Sequence, residues 1–210
     1  MVAAEVELRR KASDPIHPAR LVERIREAAP DDAIFIADGG DTCYFALTGL
    51  EAKEKAGVLV GAGGLFGCLG TGVPFGIGAK LARPEKTVVV VNGDGSFGLN
   101  AMEFDTAVRH DIPFVCVICN DQAWGMIKHG QEMTYGNDRC VGSGLGVVRY
   151  DRVVEALGGH GEFVTKDEDL APALERALAS GKPACVNVIT DPCVTSPATL
   201  MFVDALTMEK

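Results

Sequence analysis

Basic side chains are the scarce class in this sequence: 20 lysines and arginines stand against 29 aspartates and glutamates, a formal net charge of −9. That deficit argues against a protein that tracks nucleic-acid phosphates or docks on an anionic membrane through a polybasic face. Any phosphate bound here would have to be met by backbone amides or by a metal ion. Long apolar runs are missing too. None reaches the ~18 residues needed to span a bilayer, and the opening MVAAEVELRRKASD shows neither a hydrophobic signal core nor a small-residue cleavage site. No internal repeat or low-complexity linker breaks the 210 residues, a length that closes a core without disulfides. The seven cysteines (Cys43, Cys68, Cys116, Cys119, Cys140, Cys185, Cys193) are odd in number, scattered and mostly in apolar segments, as reduced buried thiols are. Cys116-Val-Ile-Cys119 spells C-x-x-C, yet it falls in a strand-like run where positions three apart face opposite ways, so we expect core thiols there. Together these absences predict a soluble cytoplasmic chain.

Glycine is in excess, at 25 of 210 residues, against about 7% on average, and without a collagen-like period. The rest of the chain alternates helical and apolar extended patterns. Pro18–Ala28 places Leu21, Ile25 and Ala28 on one helical face, and Ala33–Ala37 follows as a strand. A helix over Pro74–Ala82, a strand over Thr87–Asn92, a helix over Leu99–Arg109 and a strand over Pro113–Cys119 continue the pattern. Tyr150–Leu157 reads as helix and His160–Val164 as a short extended piece. A capping box from Thr165 to Glu168 opens a helix through Ala179, Gly181 stops it, and Ala184–Thr190 is the last strand. Five strands with intervening helices predict a doubly wound, mostly parallel α/β sheet with helices on both faces. Ligands in such sheets bind beyond the carboxyl ends of the strands. The segments there are Asp38-Gly-Gly-Asp-Thr42, Asn92-Gly-Asp-Gly-Ser96 and Asn120-Asp-Gln-Ala-Trp-Gly125, all rich in oxygen ligands and glycine.

Gly93-Asp-Gly-Ser-Phe-Gly98 satisfies the dinucleotide pattern G-x-G-x-x-G between strand and helix, with Asp121 23 residues past Gly98. Electrostatics argues against a nicotinamide dinucleotide, because Asp94 would set a carboxylate against a pyrophosphate. A hard divalent cation removes the conflict by bridging carboxylate and phosphate oxygens. Asp94 and Asp121, at the ends of neighbouring strands, are placed to share such an ion; the alternative is a pair of ordinary turn or capping aspartates.

These residues resemble the diphosphate-binding (PP) domain of thiamine-diphosphate enzymes, particularly the acetolactate synthase and 2-hydroxyacyl-CoA lyase branch. The likeness runs from about Asp14 to Pro192. In that family a G-D-G motif is followed, 27 residues after its Asp, by a second ligand, and Asp121 stands at that spacing from Asp94. The resemblance assigns Mg²⁺ to Asp94, Asp121 and the backbone carbonyl of Ala123, and it puts Thr42, Gly93, Gly95, Ser96, Trp124 and Gly125 around thiamine diphosphate. Many members carry Asn where this chain has Asp121, which adds negative charge. Gly63 to Ala79 looks like the family's glycine-rich loop running into a helix: Leu69 matches the hydrophobe that bends the cofactor, while the Gly67 carbonyl and Leu69 amide match groups on its pyrimidine edge. Met126 and Ile127 match substrate-side positions, Leu69 and Met126 being the candidates for a catalytic role. Gly130 stands where acetolactate synthases carry a tryptophan and is expected to open space. His129 reads as a packing or surface residue.

The same resemblance implies chemistry that this chain does not complete. The family's catalytic glutamate lies in a separate pyrimidine-binding domain, and no segment here corresponds to it. We therefore expect a linker-like segment at 1–16, the PP domain at 17–192 and a tail at 193–210. The expectation is one subunit of a split hetero-oligomeric enzyme, with a pyrimidine-domain partner supplying the glutamate. Its substrate would be a small 2-oxo acid, aldehyde or acyl-CoA. The competing expectations are an NAD-type domain and a non-catalytic cofactor-binding module.

Overall fold

The computed structural model describes residues 7–50, 57–60 and 67–207. Helix α1 (Pro18–Ala28) begins where the His17 Nδ1 accepts the amide of Ala19 and Pro18 takes the first turn. Its apolar stripe of Leu21, Val22 and Ile25 is buried. The following elements are β1 (Ile34–Asp38), α2 (Asp41–Gly49), β2 (Val58–Val60), α3 (Gly72–Ala82), β3 (Val88–Gly93), α4 (Asp94–Asn100), α5 (Glu103–Arg109) and β4 (Val115–Asn120). Then come α6 (Gly125–Tyr135), α7 (Tyr150–Ala156), β5 (His160–Val164), α8 (Asp167–Ala179), β6 (Ala184–Ile189) and α9 (Pro197–Thr207).

The sheet has six strands in the order β2-β1-β3-β4-β6-β5, every pairing parallel. The five expected strands are all present, and β2 is the addition: three residues at the sheet edge, too short to show a period. Alternate residues of the central strands feed two cores. Phe35, Val89, Val91, Val115, Val117 and Val186 pack under α1, α2 and α8, while Ile36, Val88, Val90, Cys116, Ile118 and Cys185 face Val73, Phe97, Phe104 and Val154 of the other helices. Each fully buried Val, Leu, Ile or Phe contributes about 1.5–3 kcal/mol of transfer free energy. Cys116 and Cys119 lie in opposite cores, and burial pushes the Cys119 thiol up to about 12 and that of Cys116 upward as well. That geometry leaves no redox pair.

Three local expectations are corrected. The capping box does not form: α8 starts at Asp167 with Lys166 at its cap and no side-chain cap bond, because Asp167 is drawn instead to the guanidinium of Arg20 on α1 (2.8 and 3.1 Å). The helix expected over Leu99–Arg109 is two helices, the first starting at Asp94 itself. Residues 193–207 are more than a tail: Ser196 and Thr199 are buried, and α9 packs on α6 and α2. Among the described residues no helix is long and apolar enough to cross a membrane.

Candidate active site

The strand order reverses around β1 and β3, and doubly wound sheets hold ligands at such a switch point. A cavity of about 450 Å³ opens there. Three strand ends supply most of its wall: Gly39 to Tyr44 after β1, Gly93 to Ser96 after β3, and Asp121 with Ala123 to Ile127 after β4, joined by Leu47, Gly67, Leu69 and Ala198. Thirteen residues singled out for a site from the sequence line this one cavity: Thr42, Gly67, Leu69, Gly93, Asp94, Gly95, Ser96, Asp121, Ala123, Trp124, Gly125, Met126 and Ile127. The Gly63–Phe66 part of the glycine-rich loop lies outside the described residues.

Asp94 opens α4 directly from β3, and Asp121 follows β4, whose Cys119 is in register with Gly93. Asp94 Oδ1 accepts the Gly95 amide (2.8 Å), but its Oδ2 is buried with no hydrogen-bond partner. Burial, then the charge of Asp121, pushes the Asp94 carboxyl up to about 8; burial likewise raises that of Asp121. Two carboxylates held together in a poorly solvated place resist ionising together. The turn after β4 is built for this approach. Gln122 adopts φ +65°, a left-handed conformation costing a side-chain-bearing residue about 1–2 kcal/mol. Leu145 and Gly146 amides hold it by donating to the Gln122 carbonyl (2.8 and 3.2 Å). The next carbonyl, of Ala123, receives no hydrogen bond among the described residues.

Glycine is required at two positions for close approach. A Cβ on Gly125 would collide with Asp121 Oδ2, and one on Gly95 would sit 2.7 Å from the Trp124 ring. The Ser96 hydroxyl accepts the Gly70 amide (2.9 Å), which leaves its proton to donate to an anion. No lysine, arginine or histidine is among the described lining residues, whereas Asp41, Asp94 and Asp121 are. An anion therefore needs a cation brought with it. Two carboxylates and a free carbonyl make an all-oxygen donor set that fits Mg²⁺, which is held by few protein ligands and completes its shell with phosphate and water oxygens. Among the described residues no three His, Cys, Asp or Glu side chains are arranged to hold a metal ion between them, so this pair is the side-chain part of the set.

Some features escaped the sequence. Asp41 and Thr42 were expected in a loop, but Gly39 (φ +113°) turns the chain so sharply that they form the first turn of α2. His129 is a packing residue, as expected, but its partners were hidden: Nδ1 lies 3.1 Å from Asp41 Oδ2 and Nε2 lies 3.0 Å from the Pro192 carbonyl. Beside Gly130 a Cβ would meet only Val203 of α9, at an ordinary contact distance of 3.9 Å, so the position has room for a small side chain and α9 bounds it. The Asp41–His129 contact spans 88 residues, and nothing in local spacing signals it.

Comparison with known proteins follows the same lines. Residues 38–188 match the family model "Thiamine pyrophosphate enzyme, C-terminal TPP binding domain". A probable acetolactate synthase from Mycobacterium bovis is 45% identical over 183 residues, covering 87% of this chain and 33% of that protein. The human 2-hydroxyacyl-CoA lyase 2 is 32% identical over 195 residues, covering 88% and 30%. Among solved structures, the Rhodococcus jostii RHA1 thiamine diphosphate-dependent 4-hydroxybenzoylformate decarboxylase superposes with a TM-score of 0.77 at 26% identity, over 86% of this chain and 34% of that one. The chain thus spans about a third of the length of these relatives.

Proposed function

The chain belongs to the family of thiamine pyrophosphate enzymes as their C-terminal TPP-binding domain, and from that premise we propose that it is the diphosphate- and Mg²⁺-binding part of an enzyme that makes or breaks a C–C bond next to a carbonyl. The carrying observation is the Asp94–Asp121 pair, with an unpartnered carboxylate oxygen, in a cavity whose described wall has no cationic side chain. Asp94, Asp121 and the Ala123 carbonyl would hold the metal. Ser96, Thr42 and the amides after Gly93 would meet the diphosphate, and Leu69 and Met126 would face the reactive half. When bound, the cofactor supplies an electron sink for 2-oxo acid decarboxylation, carboligation or 2-hydroxyacyl cleavage. The chain's own part is to neutralise and orient: metal and amides fix the diphosphate, and the apolar wall of Leu69, Trp124 and Met126 excludes water.

In this proposal a pyrimidine-domain partner subunit supplies the glutamate, giving a hetero-oligomer active on a small 2-oxo acid, aldehyde or acyl-CoA. We place it in the cytoplasm, whose reducing state suits a chain with seven thiols. A thermal-shift titration separates this proposal from the dinucleotide alternative. Thiamine diphosphate with Mg²⁺ at a hundredfold its Kd should add about 2.7 kcal/mol of stability, roughly 5–10 °C for a chain of this size. NAD should add none; the opposite pattern would refute the assignment. Carboligase or decarboxylase activity should appear only on mixing with a pyrimidine-domain chain. Strong activity of the chain alone would remove the partner from the proposal.

A further inference from the structure

One carboxylate ties together three elements around the cavity. Asp41, in the first turn of α2, receives the Ser196 amide (3.2 Å), the Ser196 hydroxyl and the Thr199 hydroxyl on Oδ1, while Oδ2 faces His129 of α6. Ser196 Oγ also accepts the Thr199 amide (3.2 Å), capping α9. Ser196 and Thr199 are fully buried, and between them Ala198 reaches the cavity wall. Both neighbours of the His129 ring can only accept, since one is a carboxylate and the other the Pro192 carbonyl. The ring therefore donates at both nitrogens, the protonation pattern of an imidazolium.

We propose that His129 is a positioning residue: as a doubly donating cation it joins Asp41 to Pro192 and so pins the first turn of α9, with Ala198, as a fixed wall of the cavity. A neutral strap would leave one ring nitrogen unpaired, and an unfastened α9 would leave Asp41 as a third uncompensated carboxylate at the cavity. The link to cofactor binding rests on the function proposed above; the fastening does not.

Three measurements on the purified chain test it. Nitrogen-15 NMR should show both ring nitrogens of His129 protonated at neutral pH; a neutral ring overturns the proposal. In His129→Leu, amide exchange across residues 196–207 should accelerate by about tenfold or more while the β3 and β4 amides keep their protection. Unchanged exchange in α9 would refute the fastening. Asp41→Asn is the conservative variant, because its carboxamide oxygen still accepts from Ser196 and Thr199 while its NH₂ donates to a neutral His129. It should keep α9 protected and convert His129 to the singly protonated form. Loosening of α9 in Asp41→Asn as severe as in Asp41→Ala would overturn the proposed geometry, and this arm stands even if His129→Leu does not fold. For the cofactor link, His129→Leu should weaken Mg²⁺-dependent thiamine diphosphate binding by about tenfold. A loosened α9 with unchanged affinity would overturn that link alone. Failure of the wild-type chain to bind thiamine diphosphate would refute the functional proposal, with exchange and NMR still deciding the strap.

Discussion

Asp94 and Asp41 line the same cavity, both buried, yet their surroundings drive them in opposite directions. Asp94 is raised to about 8 by burial and by Asp121, and one of its oxygens has no partner. For Asp41 burial also pushes upward, but hydrogen bonds from His129, Ser196 and Thr199 outweigh it and hold the carboxyl below its ordinary value. The protein itself completes the shell of one carboxylate and leaves the other open. A structural carboxylate and a ligand-binding one can thus lie along one wall, and what separates them is whether the counter-charge comes from the fold or from the ligand.

Three substitutions test this contrast, in decreasing order of expected effect. Asp41→Ala should destabilise the cofactor-free chain by about 3–5 kcal/mol, because it strands a buried imidazolium. Urea unfolding measures it, and a loss equal to that of Asp94→Ala would erase the distinction. Asp94→Ala should instead leave the cofactor-free stability intact and abolish the thermal shift of about 2.7 kcal/mol from Mg²⁺ with thiamine diphosphate at a hundredfold Kd. Unchanged affinity would remove the metal assignment. Asp94→Asn should raise cofactor-free stability by about 1 kcal/mol, since a carboxamide can donate to Asp121 without the proton uptake that folding imposes on Asp94 at neutral pH. A lower melting temperature would show that Asp94 is already satisfied.

The smallest effect lies far from the cavity, at the Arg20–Asp167 pair. The Arg20 hydrogen bonds hold Asp167 below its ordinary pKa of 3.8. A depressed carboxyl contributes stability that is present above the unfolded-state value and lost as pH falls through the folded one. Asp167→Asn should therefore melt lower than wild type at neutral pH, with the gap closing below about pH 4. A gap constant with pH would mean the pair contributes nothing through charge.

How far the sequence could be read follows from the range of the forces involved. Strands β3 and β4 were legible because Val88 to Val91 and Val115 to Cys119 are apolar without alternation, as strands covered on both faces must be. The short edge strand β2 has too few residues to show a pattern, and its place is set by pairing with β1. The helix start at Asp94 was hidden because Gly93-Asp-Gly reads as a turn; packing of Phe97 against Phe104 and Tyr150 makes it a helix.

By itself, the sequence determined the alternation of strands and helices, the glycine positions and the spacing that puts Asp94 and Asp121 at the ends of adjacent strands. Those depend on local sterics and on periodic apolar burial, which are written residue by residue. Only the tertiary structure decided that Asp41 would be neutralised and Asp94 left open. The partners of Asp41 lie 88, 155 and 158 residues away, and the ionisation of a buried carboxyl is governed by the charges and donors within a few ångströms, a distance that only folding sets.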